Sequence, residues 1–310
     1  MVDLDVRREG CAQRATGRRV ILAQVAGFCF GVRRAVEMAE NARQSAADEV
    51  TTLGDLVHNS QVTGRLLARG IGRAGALAEV EGGTVVLSAH GSAPIVLREA
   101  RERGLGVIDG TCPFVAKVHR AAKMLVAQGY PILLVGDRGH TETMGVVAAV
   151  EEMGGTIAIV GSAEEAGALL LGKRVGVISQ STQRSDVFAS VVTAVCRRVP
   201  DVRAMKTVCN ATEELQEAAV RLARTVDVMI VVGGGRSANT RRLRELCEEA
   251  GTPALQVETA ADLDPAWLDG RSTVGLTAGA STPDWLIEEV ARAINGGELP
   301  DDWSVRHPDE

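Results

Sequence analysis

The amino-acid sequence predicts an α/β protein built from parallel β-sheets. Short apolar runs alternate with helical patterns through most of the 310 residues. The runs are almost continuously apolar, as in parallel strands that helices cover on both faces. The chain length and a hydrophobic content of 45% allow two or three such units, each with its own core.

The individual elements follow from residue spacing. Val32, Ala35, Val36 and Ala39 recur as they would on one face of a helix, and residues 215–222 repeat the pattern. The predicted strands are Val20–Val25, Thr84–Ser88, Gly106–Asp109, Pro131–Gly136, Thr156–Val160, Arg174–Ser179, Asp227–Val232, Pro253–Val257 and Thr273–Thr277.

Composition excludes several classes of function. With 34 basic and 40 acidic residues, the net charge of −6 argues against a nucleic-acid partner, and 3% aromatic residues argue against base stacking. The sequence has no apolar run long enough for a membrane span. Residues 1–19 resemble neither a signal peptide nor a transit peptide, so we expect a cytoplasmic protein with an N-terminal extension.

Polar loops follow many of the predicted strands. Ligands of parallel α/β sheets bind beyond the carboxyl ends of the strands, so these loops predict one extensive site or several sites on one side of the sheets. The loops read GFCFG (27–31), SAHGS (88–92), GTCP (110–113), GDRGHTE (136–142), SQST (179–182), GGGRSAN (233–239) and TAGAST (277–282).

Three of the six cysteines share one context. Cys29, Cys112 and Cys209 each lie where a predicted helix begins, and a helix dipole there favours the thiolate. Three such thiolates without a fourth suggest an iron–sulfur cluster with one open iron. Ordinary buried thiols are the alternative. The other cysteines, for which we predict no role, are Cys11, Cys196 and Cys247.

Histidines and a carboxylate occupy the same kind of loop. His58, His90 and His140 lie among Ser, Thr and Asn residues, which together can hold an anion without a lysine. Glu142 follows His140 by two positions and could deliver a proton if burial raises its pKa. A structural histidine and a solvated glutamate are the alternatives.

Three more polar residues precede predicted helices. Ser237, Asn239 and Ser281 suit a phosphate or diphosphate at a helix start. Ordinary helix capping is the commoner use of such residues.

A dinucleotide motif competes with the iron–sulfur hypothesis. Gly233–Ala238 matches G-x-G-x-x-A after a strand, and Glu258 lies where a ribose-binding acid would be expected. The pattern indicates an NAD(P)-dependent dehydrogenase as an alternative function that uses the Gly233–Gly235 loop.

Taken in order, the motifs resemble the 4-hydroxy-3-methylbut-2-enyl diphosphate reductase family, also called LytB or IspH. The resemblance spans about residues 20–292. The segments that carry it are AGFCFGVRRAVE, LVHNSQV, LSAHGS, TCPFVAKVH, GHTETMG, SQSTQ, VCNATEELQ, GGGRSANTRRL and TAGASTPDWLIEEV.

The resemblance implies a role for each matching residue. Cys29, Cys112 and Cys209 match the ligands of a [4Fe–4S] cluster whose fourth iron is left for substrate. Glu142 matches the proton-relaying glutamate, with His140 and Ser181 beside it as catalytic residues. The diphosphate-binding positions are matched by His58, His90, Ser237, Asn239 and Ser281.

The implied fold consists of three small α/β domains around a central iron–sulfur site. We place these domains at residues 20–111, 112–205 and 206–295, with the extension at 1–19 and a loose tail at 296–310. The implied reaction removes the substrate's allylic hydroxyl by two electrons and two protons, giving isopentenyl and dimethylallyl diphosphate, the last step of the methylerythritol phosphate pathway. A ferredoxin or flavodoxin would donate the electrons.

Five positions depart from the family pattern. Thr141 replaces a proline, Ser181 a threonine, and Leu215 an arginine, while Arg236 and Ala238 alter the Asn-Ser-Ser/Gly-Asn motif. The lost arginine removes a fixed charge and several donors. A paralogue that acts on a related allylic diphosphate, or a non-catalytic member that senses iron or binds a partner, is therefore an alternative.

Overall fold

The structure is a computed structural model that describes residues 11–14, 18–299 and 303–308. Strands and helices alternate along the chain, as the sequence predicts. The strands are β1 Cys11–Arg14, β2 Arg18–Leu22, β3 Val50–Leu53, β4 Ile71–Ala74, β5 Thr84–Leu87, β6 Gly106–Asp109, β7 Ile132–Val135, β8 Ile157–Val160, β9 Arg174–Ser179, β10 Asp201–Ala204, β11 Val228–Val232, β12 Ala254–Val257 and β13 Thr273–Ala278. The helices are α1 Phe30–Ser45, α2 Ser60–Ala68, α3 Pro94–Glu102, α4 Pro113–Ala127, α5 Thr141–Glu152, α6 Ala163–Ala168, α7 Ser185–Cys196, α8 Asn210–Ala223, α9 Ala238–Glu249 and α10 Asp284–Asn295.

The strands of the described residues form three sheets. Their orders are β1-β2-β13-β11-β12, β4-β3-β5-β6 and β10-β9-β7-β8. Each pairing is parallel apart from that of β1 with β2. The prediction of a parallel-sheet α/β fold with three sheets is therefore confirmed.

The central strand of the first sheet shows why these runs become parallel strands. All five residues of β11 are buried. Val228, Ile230 and Val232 pack in the core that includes α10, while Met229 and Val231 pack in the core that includes α8. Alternate side chains therefore enter two apolar layers, and burying them on both faces stabilises the strand.

By its internal contacts the chain divides into two compact units. Of the described residues, unit 1 comprises 11–14, 18–30, 58–62, 210–299 and 303–308, and unit 2 comprises 31–57 and 63–209. Unit 1 holds the first sheet, and unit 2 holds the other two.

Strand pairing differs from the predicted domain boundaries at one place. The prediction puts the strand that begins at Val20 in the domain 20–111, but β2 pairs with β13, with Val20 opposite Val274. The strand thus belongs to the sheet of residues 206–295. Parallel pairing joins strands far apart in the chain, and local residue patterns carry no signal for that partner.

Several strands and the C-terminal tail differ from the sequence prediction. The predicted strands omit β1, β3, β4 and β10, which are four-residue runs that include Thr or Arg. The C-terminal tail is not loose at 303–308, because Trp303 and Val305 pack on the first core and the Ala26 N–H donates to Arg306 O at 2.8 Å. The rest of the extension and tail, at 1–10, 15–17, 300–302 and 309–310, lies outside the described residues.

Within the described part of the chain, no helix combines the length and apolarity that crossing a membrane requires.

Candidate functional site

In unit 1, polar residues follow four adjacent parallel strands. The order β2-β13-β11-β12 brings the loops that contain Cys29, Ser281, Ser237 and Glu258 to one edge of the sheet. The carboxyl ends of parallel strands meet at such an edge, where α/β proteins bind ligands.

Cys29 is fixed by the loop of the neighbouring strand. Its N–H donates to Ala280 O at 3.1 Å, and the Gly27 N–H donates to Ala278 O at 3.3 Å. Gly27 has φ +78°, and a Cβ there would come within 2.9 Å of Thr282 O. Glycine thus permits the close approach of the two loops, and Cys29 lies half-buried directly before α1.

Ser281 and the Gly-rich loop both contact the segment that contains His58. The Ser281 hydroxyl donates to His58 O at 3.3 Å. Gly234 packs against the same carbonyl, which a Cβ would overlap. The structure therefore brings three predicted diphosphate-binding elements together, namely His58, Ser281 and the loop that leads to Ser237.

Ser237 caps the helix that follows it. Its hydroxyl accepts from the Thr240 N–H at 3.2 Å as the N-cap of α9. The capping role that the sequence left open is thus present, and diphosphate binding by this residue stays a prediction.

Asn239 offers the strongest sign of a missing partner in unit 1. It is only 3% exposed, yet within the described residues neither Oδ1 nor Nδ2 has a hydrogen-bond partner. The neighbouring Thr240 hydroxyl is likewise buried without one in that part of the chain. Buried polar atoms are nearly always hydrogen-bonded, so this cluster is built to receive a polar ligand or ordered water.

The dinucleotide hypothesis loses its main support. The Glu258 carboxylate accepts from the Gly235 N–H at 2.7 Å and from the Ser60 hydroxyl at 2.8 Å. Gly234 contacts the His58 backbone where a dinucleotide's pyrophosphate would approach the loop. The acid and the glycines of the motif therefore contact the protein itself.

In unit 2, the loops after β5 and β6 are joined beside Cys112. The Cys112 N–H donates to Ala89 O at 3.0 Å, next to His90. Cys112 is the N-cap of α4, with Pro113 at the first helical position. Burial raises the pKa of the Cys112 thiol, and the Phe114 and Val115 N–H groups partly oppose that rise.

Gly31 lies against the Cys112 thiol. A Cβ at Gly31 would overlap Cys112 Sγ. The second residue of α1 therefore has to be glycine for the sulfur to keep its place, and we call this close fit of Gly31 against Cys112 the Gly31 cradle.

Glu142 and Ser181 form a buried acid–hydroxyl pair. Glu142 is 2% exposed, and its carboxylate accepts from the Ser181 N–H at 2.6 Å and from the Ser181 hydroxyl at 2.8 Å. The Ser181 carbonyl in turn accepts from the Cys209 N–H at 2.9 Å. Two predicted catalytic residues and one predicted cluster ligand thus lie side by side.

The two loop histidines of unit 2 are also neighbours. The rings of His90 and His140 are 5.9 Å apart between centroids and nearly perpendicular. His140 Nδ1 accepts from the Glu142 N–H at 3.2 Å, as the N-cap of α5. This contact places the proton of the neutral imidazole on Nε2.

The sequence patterns did not single out the polar residues that fix the loop between β7 and α5, namely Asp137, Thr143 and Gln180. The buried Gln180 amide accepts from the Asp137 N–H at 2.9 Å and donates to the Thr182 hydroxyl at 3.0 Å. The Thr143 hydroxyl donates to Asp137 O at 2.7 Å. The only sequence signal was their position within or next to the strand-end loops. Their contacts could not be predicted, because buried polar contacts depend on tertiary pairing.

His119 supports the loop of His90 from α4. A Cβ on Gly91, at φ +80°, would lie 3.2 Å from His119 Nε2. Burial, with Lys123 next in effect, lowers the pKa of His119, while Asp109 opposes the change. His119 is therefore neutral at pH 7 and packs beneath the loop.

Leu215, the largest departure from the family pattern, is fully buried. It lies in an apolar cluster with Ala218 and Val231. In this chain the position is a packing position of α8, so leucine contributes to the core where an arginine would be costly to bury.

Among the described residues, no three His, Cys, Asp or Glu side chains are gathered closely enough to hold a metal ion. The ligand set Cys29, Cys112 and Cys209 therefore remains a prediction.

The fold and these residues define a parallel-sheet α/β protein whose strand-end loops carry thiols, histidines and a buried acid–hydroxyl pair. Comparison with known sequences makes the class specific. The chain belongs to the LytB protein family, whose sequence model matches residues 20–295.

Curated relatives match over nearly their whole length. The 4-hydroxy-3-methylbut-2-enyl diphosphate reductase of Pelobacter propionicus is 44% identical over 282 residues, 91% of this chain and 98% of the relative. The enzyme of the same name from Aquifex aeolicus is 41% identical over 275 residues, 89% of this chain and 95% of the relative.

Solved structures agree. A structure described as (E)-4-hydroxy-3-methyl-but-2-enyl diphosphate reductase, the terminal enzyme of the non-mevalonate pathway, is 40% identical, with a TM-score of 0.66 over 89% of this chain and 99% of that one. The Plasmodium falciparum E-1-hydroxy-2-methyl-but-2-enyl-4-diphosphate reductase is 27% identical, with a TM-score of 0.84 over 92% of this chain and 95% of that one.

Proposed function

We propose that this protein reduces 4-hydroxy-3-methylbut-2-enyl diphosphate to isopentenyl and dimethylallyl diphosphate. The observation that carries the proposal is the family match over residues 20–295, with relatives of that activity 41–44% identical. The allylic C–O bond breaks, two electrons and two protons enter, and water leaves. A C–H bond forms at either end of the allyl system, which accounts for two products.

Cys29, Cys112 and Cys209 are the proposed ligands of a [4Fe–4S] cluster with one open iron. Three thiols at helix starts are a suitable donor set, and the Gly31 cradle lets Cys112 Sγ keep its position. When bound, the cluster would pass the donor's electrons to the substrate, and its open iron would act as a Lewis acid toward the substrate's hydroxyl.

Glu142 is the proposed proton donor to the departing hydroxyl. Its burial and the two hydrogen bonds from Ser181 hold the carboxyl group in one orientation. The hydroxyl of Ser181 replaces that of the family's threonine. His140, whose Nδ1 accepts from the Glu142 N–H at 3.2 Å, is the third member of this group.

The diphosphate is the proposed ligand of His58, His90, Ser237, Asn239 and Ser281. Imidazoles, hydroxyls and helix-start N–H groups hold an anion without a large positive field, in keeping with the net charge of −6. The unpartnered amide of buried Asn239 supports this assignment most directly.

A ferredoxin or flavodoxin is the proposed electron donor, since the reaction consumes two electrons that a reduced partner has to supply. A reduced donor and cysteines kept as thiols suit the cytoplasm.

Anaerobic turnover tests the proposal. Purified, reconstituted protein is supplied with 4-hydroxy-3-methylbut-2-enyl diphosphate and a reduced viologen, and both products are measured. We expect viologen oxidation that depends on substrate and yields both diphosphates. Protein that holds four irons but oxidises no viologen would instead indicate a non-catalytic family member. Turnover of a related allylic diphosphate alone would indicate a paralogue.

A further inference from the structure

Glu258 has no role in the proposed reaction, yet it lies among the diphosphate-binding loops. It directly follows β12, whose neighbour β11 leads into the Gly-rich loop. The Gly233 N–H donates to Val257 O at 2.8 Å, so the Gly-rich loop starts beside Glu258.

The carboxylate joins two separate segments. Oε1 accepts from the Gly235 N–H at 2.7 Å, and Oε2 accepts from the Ser60 hydroxyl at 2.8 Å. Gly235 precedes Ser237 and Asn239, and Ser60 follows His58. One side chain therefore connects both sets of proposed diphosphate-binding residues.

Glu258 is itself held rigidly. Its N–H donates to Asp262 Oδ2 at 3.0 Å, and the Thr259 N–H donates to the same oxygen at 2.8 Å. Gln256, two residues earlier on β12, donates to Gly233 O at 3.3 Å and to Gly234 O at 3.1 Å. The end of β12 is thus a fixed support for the loop.

The two segments need such a support. Residues 58–62 belong to unit 1, although the chain on either side of them belongs to unit 2. Three successive glycines form the facing loop, and glycine has the largest backbone entropy to lose on ordering. Neither segment is part of a strand ladder in the described structure.

The charge of Glu258 argues against direct substrate contact. A carboxylate repels a diphosphate, whereas one bonded to an N–H and a hydroxyl can hold both donors in place. We propose that Glu258 is a positioning residue that ties the His58 segment to the Gly-rich loop and so preorganises the diphosphate subsite. The inference rests on the proposed function, because it takes these loops to hold the substrate's diphosphate.

Four variants test whether Glu258 joins the two segments. Glu258→Ala removes the carboxylate, Ser60→Ala removes the hydroxyl that donates to it, and the double variant removes both groups. Glu258→Gln keeps the geometry without the charge, since its amide oxygen can accept from Gly235 and its NH₂ can donate to Ser60. Glu288→Ala on α10, a half-buried glutamate paired with Arg292 at 2.9 Å, is the matched control.

For each variant we would measure KM, kcat, iron per chain and the Kd of inorganic diphosphate by calorimetry. We expect Glu258→Ala and Ser60→Ala to raise KM and Kd roughly 5- to 20-fold, as for loss of a charge-assisted hydrogen bond. We expect kcat and iron to stay near the wild-type values. The double variant should be no worse than Glu258→Ala, and Glu258→Gln should stay near wild type.

The proposal would be overturned if Glu258→Ala left KM and Kd unchanged, or if the losses in the double variant were additive. It would also be overturned if removing the charge lowered KM, or if the loss were confined to kcat. If Glu258→Ala fails to fold, Ser60→Ala and Glu258→Gln decide. The diphosphate Kd separates this inference from the proposed function. Absence of turnover in the wild-type protein would refute the proposed reductase function. A Kd of inorganic diphosphate that still depends on Glu258 would nevertheless support the positioning role of this residue.

Discussion

At the scale of single residues, the candidate site contains side chains whose orientation is already fixed by hydrogen bonds within the protein. Glu142 receives two hydrogen bonds from one residue, Ser181, and is nearly inaccessible to water. A buried carboxyl group that is oriented in this way needs no rearrangement before it transfers a proton. The sequence indicated both residues, but not their contact.

Replacing Glu142 with glutamine should strongly reduce turnover and leave the iron content of the protein unchanged. The amide keeps the size of the side chain and can still accept from Ser181, but it has no proton to give. We expect turnover to fall by about 100-fold or more, the usual scale for loss of a general acid.

Anaerobic kinetics and iron analysis check this expectation. Glu165→Gln on α6 is the control, because Glu165 is an exposed glutamate paired with Arg138 at 2.7 Å. A Glu142→Gln enzyme within tenfold of wild-type turnover would contradict the assignment.

At the scale of elements, strand ends and helix starts place the reactive groups. Cys112 ends the loop after β6 and caps α4, while Gly31 of α1 makes room for its sulfur. Helix-start patterns in the sequence predicted the position of Cys112. The fit of Gly31 against it comes from packing between α1 and α4, which local patterns do not encode.

Gly31→Ala should displace the Cys112 thiol and lower iron content. Gly64→Ala on α2 is the matched control, because a Cβ there meets nothing within 4 Å and alanine favours the helix. We expect Gly31→Ala to hold less than about half of the wild-type iron after reconstitution, a loss consistent with misplacing one of three ligands. Equal iron in the two variants, measured per chain, would show that the cradle does not matter.

Asp227 joins the beginnings of two strands, β11 and β13. Its Oδ2 accepts from the Ser272 and Thr273 N–H groups, each at 2.8 Å. These hydrogen bonds, with that of the Thr273 backbone foremost, lower the pKa of Asp227 from 3.8 to about 2. Because the folded pKa is depressed, the stabilisation is present above pH 3.8 and is lost as the pH falls toward 2.

Asp227→Asn should therefore lower Tm by a few degrees at pH 7, and its difference from wild type should shrink between pH 4 and pH 2. The group is exposed, so the effect is small. Thermal melts followed by circular dichroism measure the difference in Tm, and Asp269→Asn, at an exposed position, is the charge-matched control. A difference in Tm that stays constant down to pH 2 would contradict a role for the Asp227 carboxylate charge.

At the scale of the whole molecule, residues far apart in the chain contribute to one proposed function. Unit 1 contains Cys29, and unit 2 contains Cys112 and Cys209. The cysteines that we expect to be dispensable differ in setting. Cys196 is exposed at the end of α7, and burial raises the pKa of Cys247 to about 12, which makes that thiol unreactive.

Serine substitutions divide the cysteines into two groups. Cys29→Ser, Cys112→Ser and Cys209→Ser should each reduce iron from about four per chain to well below that number, with loss of visible absorbance. Cys196→Ser and Cys247→Ser should keep the wild-type content. Any one of the first three variants with full iron and full turnover would remove that residue from the ligand set.

The sequence by itself determined the alternation of strands and helices, the strand-end loops and the family. Apolar periodicity, glycine and helix-start residues are local, so Thr84–Leu87, Gly106–Asp109 and Arg174–Ser179 were found nearly to the residue. Short strands that include Thr or Arg, such as Val50–Leu53, were missed because their burial comes from neighbours rather than from their own composition.

Only the tertiary structure decided which strands pair and which polar groups meet. Val20 lies opposite Val274, and Glu258 bonds Gly235 and Ser60 rather than serving as a dinucleotide's ribose acid. The physical reason is the same in both cases. Parallel pairing and buried hydrogen bonds join atoms that are remote in the chain, so their energies depend on the folded arrangement and leave no periodic mark in the sequence.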